Sequence, residues 1–191
     1  VQLREAIKAD FERREGVNIT YLPFVLKTVA ESLRNNPLVN SAWGRDAIIL
    51  KRKINIGVAT ATSEGLVVPV VHDAGRLGIA ELAKAIDDLT TRARQGKLAL
   101  TDVQGGTFTV NNTGALGSVI GKALINYPQA AILNTEAIIK RPVVVDEAVV
   151  IRSMMNICIT FDHRILDGSE AGAFVADVKR RLESMGPDTA V

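Results

Sequence analysis

Cysteine is nearly absent from this 191-residue chain, where Cys158 stands alone. An internal disulfide is thereby excluded, and a reducing compartment fits, with the cytoplasm as the default. Histidine is almost as scarce. His72 and His163 lie far apart in sequence, and with one cysteine they offer no metal-ligand spacing, so no metal is expected. Apolar runs of membrane-spanning length are missing too, each being broken by Gly, Pro or charge, and no signal peptide is recognisable. Nor is charge of one sign massed anywhere: 23 Lys and Arg against 21 Asp and Glu leave a net +2. Basic residues alternate with acids along helical stretches, which argues against a nucleic-acid arm. Neither nucleic acid nor membrane is an expected partner.

What is present is enough apolar material, 47% of the chain, to bury a proper core, and the length suits one domain over residues 1–191. The chain opens inside a helical pattern (Leu3, Ile7, Phe11), so an upstream segment is expected. Further helices are predicted over residues 21–34, with Pro23 in the first turn, over 79–94, with Gly96 as the stop, and over 169–183. Strands are predicted over 47–50, 54–61, 66–71, 107–110, 130–133, 137–139, 143–145, 149–151 and 156–161. The run Leu66 to Val71 is apolar throughout, as if covered on both faces, but Pro69 demands an edge or a bulge. Cys158 sits in an apolar strand pattern and reads as a buried, inert thiol. Helices mixed with strands predict an α/β fold, one mixed β-sheet with helices packed on it.

One string concentrates polar chemistry beside an apolar strand: Phe161-Asp162-His163-Arg164-Ile165-Leu166-Asp167-Gly168. A strand ending in a tight turn can hold an imidazole at a cleft edge, where it acts as a base near neutral pH. A core histidine satisfied by hydrogen bonds, flanked by an Asp162–Arg164 ion pair, is the structural alternative. Elsewhere, His72 reads as a loop residue and Trp43 as a packing residue. Gly114, Gly117 and Gly121 match neither a phosphate-binding loop nor a dinucleotide fingerprint.

That string resembles the signature of the dihydrolipoyl acyltransferases, the cores of 2-oxo acid dehydrogenase complexes. The more distant chloramphenicol acetyltransferases share its H-x-x-x-D-G part. The likeness continues in order and spacing through Tyr21-Leu22-Pro23-Phe24, Asn55-Ile56-Gly57-Val58-Ala59, Gly65-Leu66-Val67-Val68-Pro69-Val70, Gly105-Gly106-Thr107-Phe108-Thr109-Val110, Asn126-Tyr127-Pro128-Gln129 and Lys140-Arg141-Pro142-Val143. It implies a chloramphenicol-acetyltransferase-like fold and acyl transfer between a dihydrolipoyl thioester and the thiol of coenzyme A, both of them substrates. It also implies His163 as general base and Asp167 as the carboxylate that pairs with a basic group to hold the loop. Direct polarisation of the imidazole by Asp167 is the alternative, and Gly168 would let the chain turn into the helix.

The chain departs from the family where the strand over 107–110 continues. A Ser or Thr is usual there as oxyanion donor, and this sequence has Asn111. An amide can donate equally, so Asn111 is the expected donor; a turn role for Asn111 and Asn112, with Thr113 donating instead, is the other reading. The resemblance further implies homotrimers with His163 of one copy meeting Asn111 of the next. Partners would be lipoyl domains and the 2-oxo acid dehydrogenase and dihydrolipoyl dehydrogenase components. The C-terminal residues lack the Leu-rich anchor of the large cubic or icosahedral cores, which weakens that expectation. The string from Asn111 to Ser118 leans toward branched-chain acyl groups, with acetyl and succinyl open. A catalytically weak scaffold and a free-standing acetyltransferase are the competing readings.

Overall fold

The computed structural model describes residues 1–191. Two helices open the chain, α1 over Gln2–Glu15 and α2 over Leu22–Asn35. Short strands follow: β1 Ser41–Trp43, β2 Ile48–Leu50, β3 Ile56–Val58, β4 Thr60–Thr62, β5 Gly65–Val67 and β6 Val70–Val71. Then come α3 Ile79–Arg94, a single turn α4 Leu100–Val103, β7 Phe108–Asn112, β8 Ala131–Thr135, β9 Ile139–Val145, β10 Ala148–Met154, β11 Ile157–Phe161 and α5 Gly168–Glu183.

The central sheet has the order β11-β8-β7-β3-β6. β7 runs parallel to both β3 and β8, while β11 and β6 are antiparallel at the edges. The mixed sheet expected from the sequence is therefore present, with three two-stranded ribbons beside it: β1–β2, β4–β5 and β9–β10. Phe108, Val110, Leu133 and Val58 point from one sheet face into a core closed by Leu26, Val29 and Leu33 of α2, Leu82 and Ile86 of α3, and Phe174 and Val178 of α5. Phe108 and Phe174 meet edge to face with centroids 5.6 Å apart.

Local chemistry explains the helix ends. In α3 the Gly78 N–H donates to the Glu81 carboxylate at 2.7 Å, and Gly96 just past the end takes φ 67°, a left-handed turn that needs no Cβ. The long strand expected over 54–61 is broken into β3 and β4, and that over 66–71 into β5 and β6. Pro69 lies at the second break, its carbonyl accepting from Val58 N–H, and β6 is an edge strand as the proline demanded. Burial on both faces does not hold for the first half of that run: Leu66 is 69% exposed on the β4–β5 ribbon. β1 and α4, three and four residues long, carry too little periodicity to be seen in sequence.

Phe174→Ala removes a fully buried ring from both the sheet and the α2 contact. Its expected cost is about 3–5 kcal/mol of unfolding free energy, read as a lower urea midpoint at unchanged slope.

Candidate active site

β11 delivers the polar string directly. Its last residue, Phe161, is paired with Ala131, and the next N–H, from Asp162, donates to the Ala130 carbonyl at 2.8 Å. Ala130 N–H in turn donates to Ser41 of β1 at 2.9 Å, tying the turn to that ribbon. Ile165 and Leu166 N–H groups close the turn onto the Asp162 carbonyl, and both side chains are buried below it. The apolar residues anchor the turn and the polar ones face out.

Asp162 and Arg164 form the expected ion pair, with Nη2 to Oδ2 at 2.6 Å and Nε to Oδ1 at 3.0 Å, while the Arg164 N–H donates to Oδ1 at 3.0 Å. Arg164's hydrogen bond holds the Asp162 carboxyl below its ordinary value, and the same bond pushes the guanidinium up. The guanidinium also lies 5.0 Å from the centroid of the Trp43 ring, so the packing residue predicted at Trp43 packs against this turn.

His163 is held in the turn by its backbone while its ring projects. The side chain is 73% exposed, its ring 5.2 Å from that of Phe161, and its Nδ1 is 3.6 Å from Asp167 Oδ1. That is too long for a hydrogen bond, and a core histidine is ruled out by the exposure. Asp167 caps α5: its N–H donates to the Glu170 carboxylate at 3.0 Å, and its own carboxylate is 77% exposed. His163 is the one basic side chain within ion-pair distance of it in the chain. Gly168 opens α5 without a positive φ, so the sharp glycine turn expected there is not used.

Asn111 lies elsewhere. β7 extends through Asn111 and Asn112, so neither forms a turn, and Asn111 pairs with Asn134 of β8. Its side-chain amide makes no hydrogen bond inside the chain, whereas Thr113 is fully engaged. The Thr113 hydroxyl donates to Glu136 Oε2 at 2.7 Å and accepts from the Asn134 amide at 3.0 Å. Of the two candidate donors, Asn111 is thus the free one. Sequence reasoning passed over Glu136, since an acid following a strand reads as solvated; no signal marked it as buried.

The sheet register sets how far apart these groups stand. Phe161 is level with Ala131, and Asn111 is level with Asn134, three residues on and two strands across. His163 and Asn111 of one chain are therefore roughly 15 Å or more apart, at opposite ends of the sheet. Cys158 faces a cavity of about 930 Å³ beside Ile138, Asn156, Val175 and Leu182, and is half-buried rather than sealed in the core. His72 is an exposed loop residue hydrogen-bonded to the Thr101 carbonyl, as the sequence implied.

Residues 1–189 match the catalytic domain of the 2-oxoacid dehydrogenases acyltransferases. The chain belongs to that family. This acyltransferase-family chain is 48% identical over its whole length to the lipoamide acyltransferase component of the branched-chain alpha-keto acid dehydrogenase complex of Bacillus subtilis (strain 168), of which it covers 45%. An acetyltransferase component from Mycobacterium bovis and a succinyltransferase component from Bartonella vinsonii are each 44% identical, covering 96% and 95% of the chain and 34% and 44% of the relatives. The chain spans less than half the length of these curated relatives. Among solved structures, a probable dihydrolipoamide acetyltransferase from Listeria monocytogenes superposes with a TM-score of 0.97 at 44% identity, over 100% of this chain and 81% of the other. The cubic core of a pyruvate dehydrogenase multienzyme complex does so with 0.93 at 31%, over 96% and 76%. Chloramphenicol acetyltransferase shares the fold alone, at 14% identity and a TM-score of 0.58.

The Asp162 carboxyl yields a pH prediction. A folded-state value below the ordinary one stabilises the protein above about pH 4, and that stabilisation is lost as pH falls through the lowered value. Asp162→Asn is expected to melt below wild type at pH 7, with the gap closing as the pH is taken below 4.

Proposed function

We propose that the chain transfers an acyl group between a dihydrolipoyl thioester and the thiol of coenzyme A, at a site shared by two copies. The observation that carries this is the exposed His163 imidazole on a turn anchored by buried neighbours, in a chain that matches the acyltransferase catalytic domain from end to end. A free thiol has a pKa near 8.5 and is mostly protonated at neutral pH. His163 takes its proton as the sulfur attacks the thioester carbonyl. The new S–C bond forms a tetrahedral oxyanion, which the Asn111 amide stabilises. The old C–S bond then breaks and the departing sulfur receives the proton from His163. Asp167, at the start of α5 with Oδ1 3.6 Å from Nδ1, helps to hold the turn that aims the ring.

Base and oxyanion donor must both lie within a few ångströms of one carbonyl, and one chain holds them at opposite ends of its sheet. A second copy resolves the conflict, with His163 of one meeting Asn111 of the next around a trimer. Apolar side chains left open support assembly: Val144, Val149 and Ile151 on the β9–β10 ribbon, and Leu116, Ile120 and Leu124 in the loop after β7. Lipoyl domains and the dehydrogenase components of a 2-oxo acid dehydrogenase complex are the proposed partners. Branched-chain acyl groups are favoured by the Bacillus relative, though acetyl and succinyl relatives stand close behind.

In acyl transfer from isobutyryl-, acetyl- or succinyl-CoA to dihydrolipoamide, His163→Ala is expected to lower kcat about 10²- to 10⁴-fold. Asn111→Ala should lower it about 10²- to 10³-fold. Unfolding the two variants together and refolding them as mixed trimers should restore up to about one quarter of wild-type activity, because one interface in four pairs the intact residues. A site contained in one chain would give no rescue.

A further inference from the structure

We infer that Glu136 is a specificity-determining residue whose buried negative charge beside Asn111 rejects acyl groups ending in a carboxylate, as succinyl does, in favour of uncharged ones; this rests on the acyl-transfer reading above. Glu136 is 2% exposed, and no Lys, Arg or His approaches its carboxylate within ion-pair distance. Both of its side-chain partners are donors. The Thr113 hydroxyl, whose oxygen is already accepting from Asn134, gives its proton to Oε2, and the Asn134 amide donates to Oε1. That is the set of contacts an ionised carboxylate takes. Hydrogen bonds stabilise the charge but do not cancel its field, as a guanidinium or ammonium would.

Within one chain, no basic side chain lies close enough to Glu136 to offset that field. The loop after β7 closes over Glu136 so tightly that a Cβ on Gly114 would fall 2.3 Å from its backbone carbonyl, and one on Gly121 would fall 3.1 Å from Oε1. The Asn134 Oδ1 beside it is buried with no hydrogen-bond partner, adding a second negative end. Asn134 is the register partner of Asn111, and side chains paired across a parallel ladder share a face of the sheet. The Glu136 charge therefore stands one side chain beyond the proposed oxyanion donor, roughly 10 Å from the reacting carbonyl. An acyl-terminal carboxylate lying within about 10 Å of Glu136 would, with an effective dielectric constant near 20, be disfavoured by about tenfold.

The oxyanion feels the same charge whatever the acyl group, and so does any shift of Thr113 and its loop. Both effects cancel in a ratio of substrates, which leaves the acyl terminus alone. The test compares kcat/KM for succinyl-CoA, its neutral methyl ester and isobutyryl-CoA, with dihydrolipoamide as acceptor, in wild type and Glu136→Gln. Wild type should prefer the ester to succinyl-CoA by about tenfold, and Glu136→Gln should bring the two within about twofold. A wild-type ratio near one overturns the inference without needing the variant to fold. A ratio that persists in Glu136→Gln also overturns it. Wild type inactive on all three, isobutyryl included, would instead remove the acyl-transfer reading, and this inference with it.

Discussion

Strand β8 holds β11 antiparallel on one side and β7 parallel on the other, and the placement of every polar group of interest follows from that arrangement. The whole of β8 is buried, from Ala131 to Thr135, so its register cannot slip by one residue without turning Leu133 out of the core and Asn134 into it. With the register set, β11 must end where β8 begins, which puts His163 at that end of the sheet. β7 must end where β8 ends, which puts Asn111 at the other. The proposed base and oxyanion donor, on strands that flank β8 on either side, are thereby kept apart within one chain. On the proposed reading, assembly is a chemical requirement of the site as well as a way to cover apolar surface.

The histidine turn meets its own requirement by division of labour. An imidazole that accepts a proton from a substrate must be exposed, yet an exposed side chain on a loose loop would spread over many positions. Here the exposure is local. Ile165 and Leu166 are buried in the core and anchor the turn, backbone hydrogen bonds from Asp162 run through Ala130 to β1, and Asp162 with Arg164 braces the turn against Trp43. Asp167 lies at the start of α5, so the helix core, through Ala171, Phe174 and Val178, fixes the carboxylate's backbone position relative to the ring.

Much of this was legible in the sequence. The helices α2, α3 and α5 announced themselves by apolar spacing, the first two also by Pro23 and Gly96, and the strand leading to His163 by its apolar run. The family resemblance carried the fold, and it is the source of the roles proposed for His163 and Asp167. What escaped was tertiary. Nothing in Asn134-Thr135-Glu136 tells that a glycine-rich loop will fold back and bury the acid, because burial there depends on Gly114 and Gly121, over a dozen residues upstream. The half-exposure of Cys158 depends likewise on a cavity walled by α5 and the segment after β8, which no local pattern encodes. Breaks in the strands over 54–61 and 66–71 were hinted at by Pro69 alone.

The two ends of the sheet also differ in electrostatic character, and that difference bears on the reaction. At the His163 end, charges of opposite sign lie close together: Arg164 answers Asp162, and Asp167 Oδ1 stands 3.6 Å from the imidazole Nδ1. At the Asn111 end, the acid is buried without a cation and the neighbouring groups are amides and a hydroxyl. Neutral donors suit an oxyanion that exists only in passing, since they need no counter-ion in the resting state. The cost is that such a site tolerates added negative charge poorly. On the proposed reading, a substrate bringing a permanent anion to that end would meet the Glu136 charge, whereas an uncharged acyl chain would not.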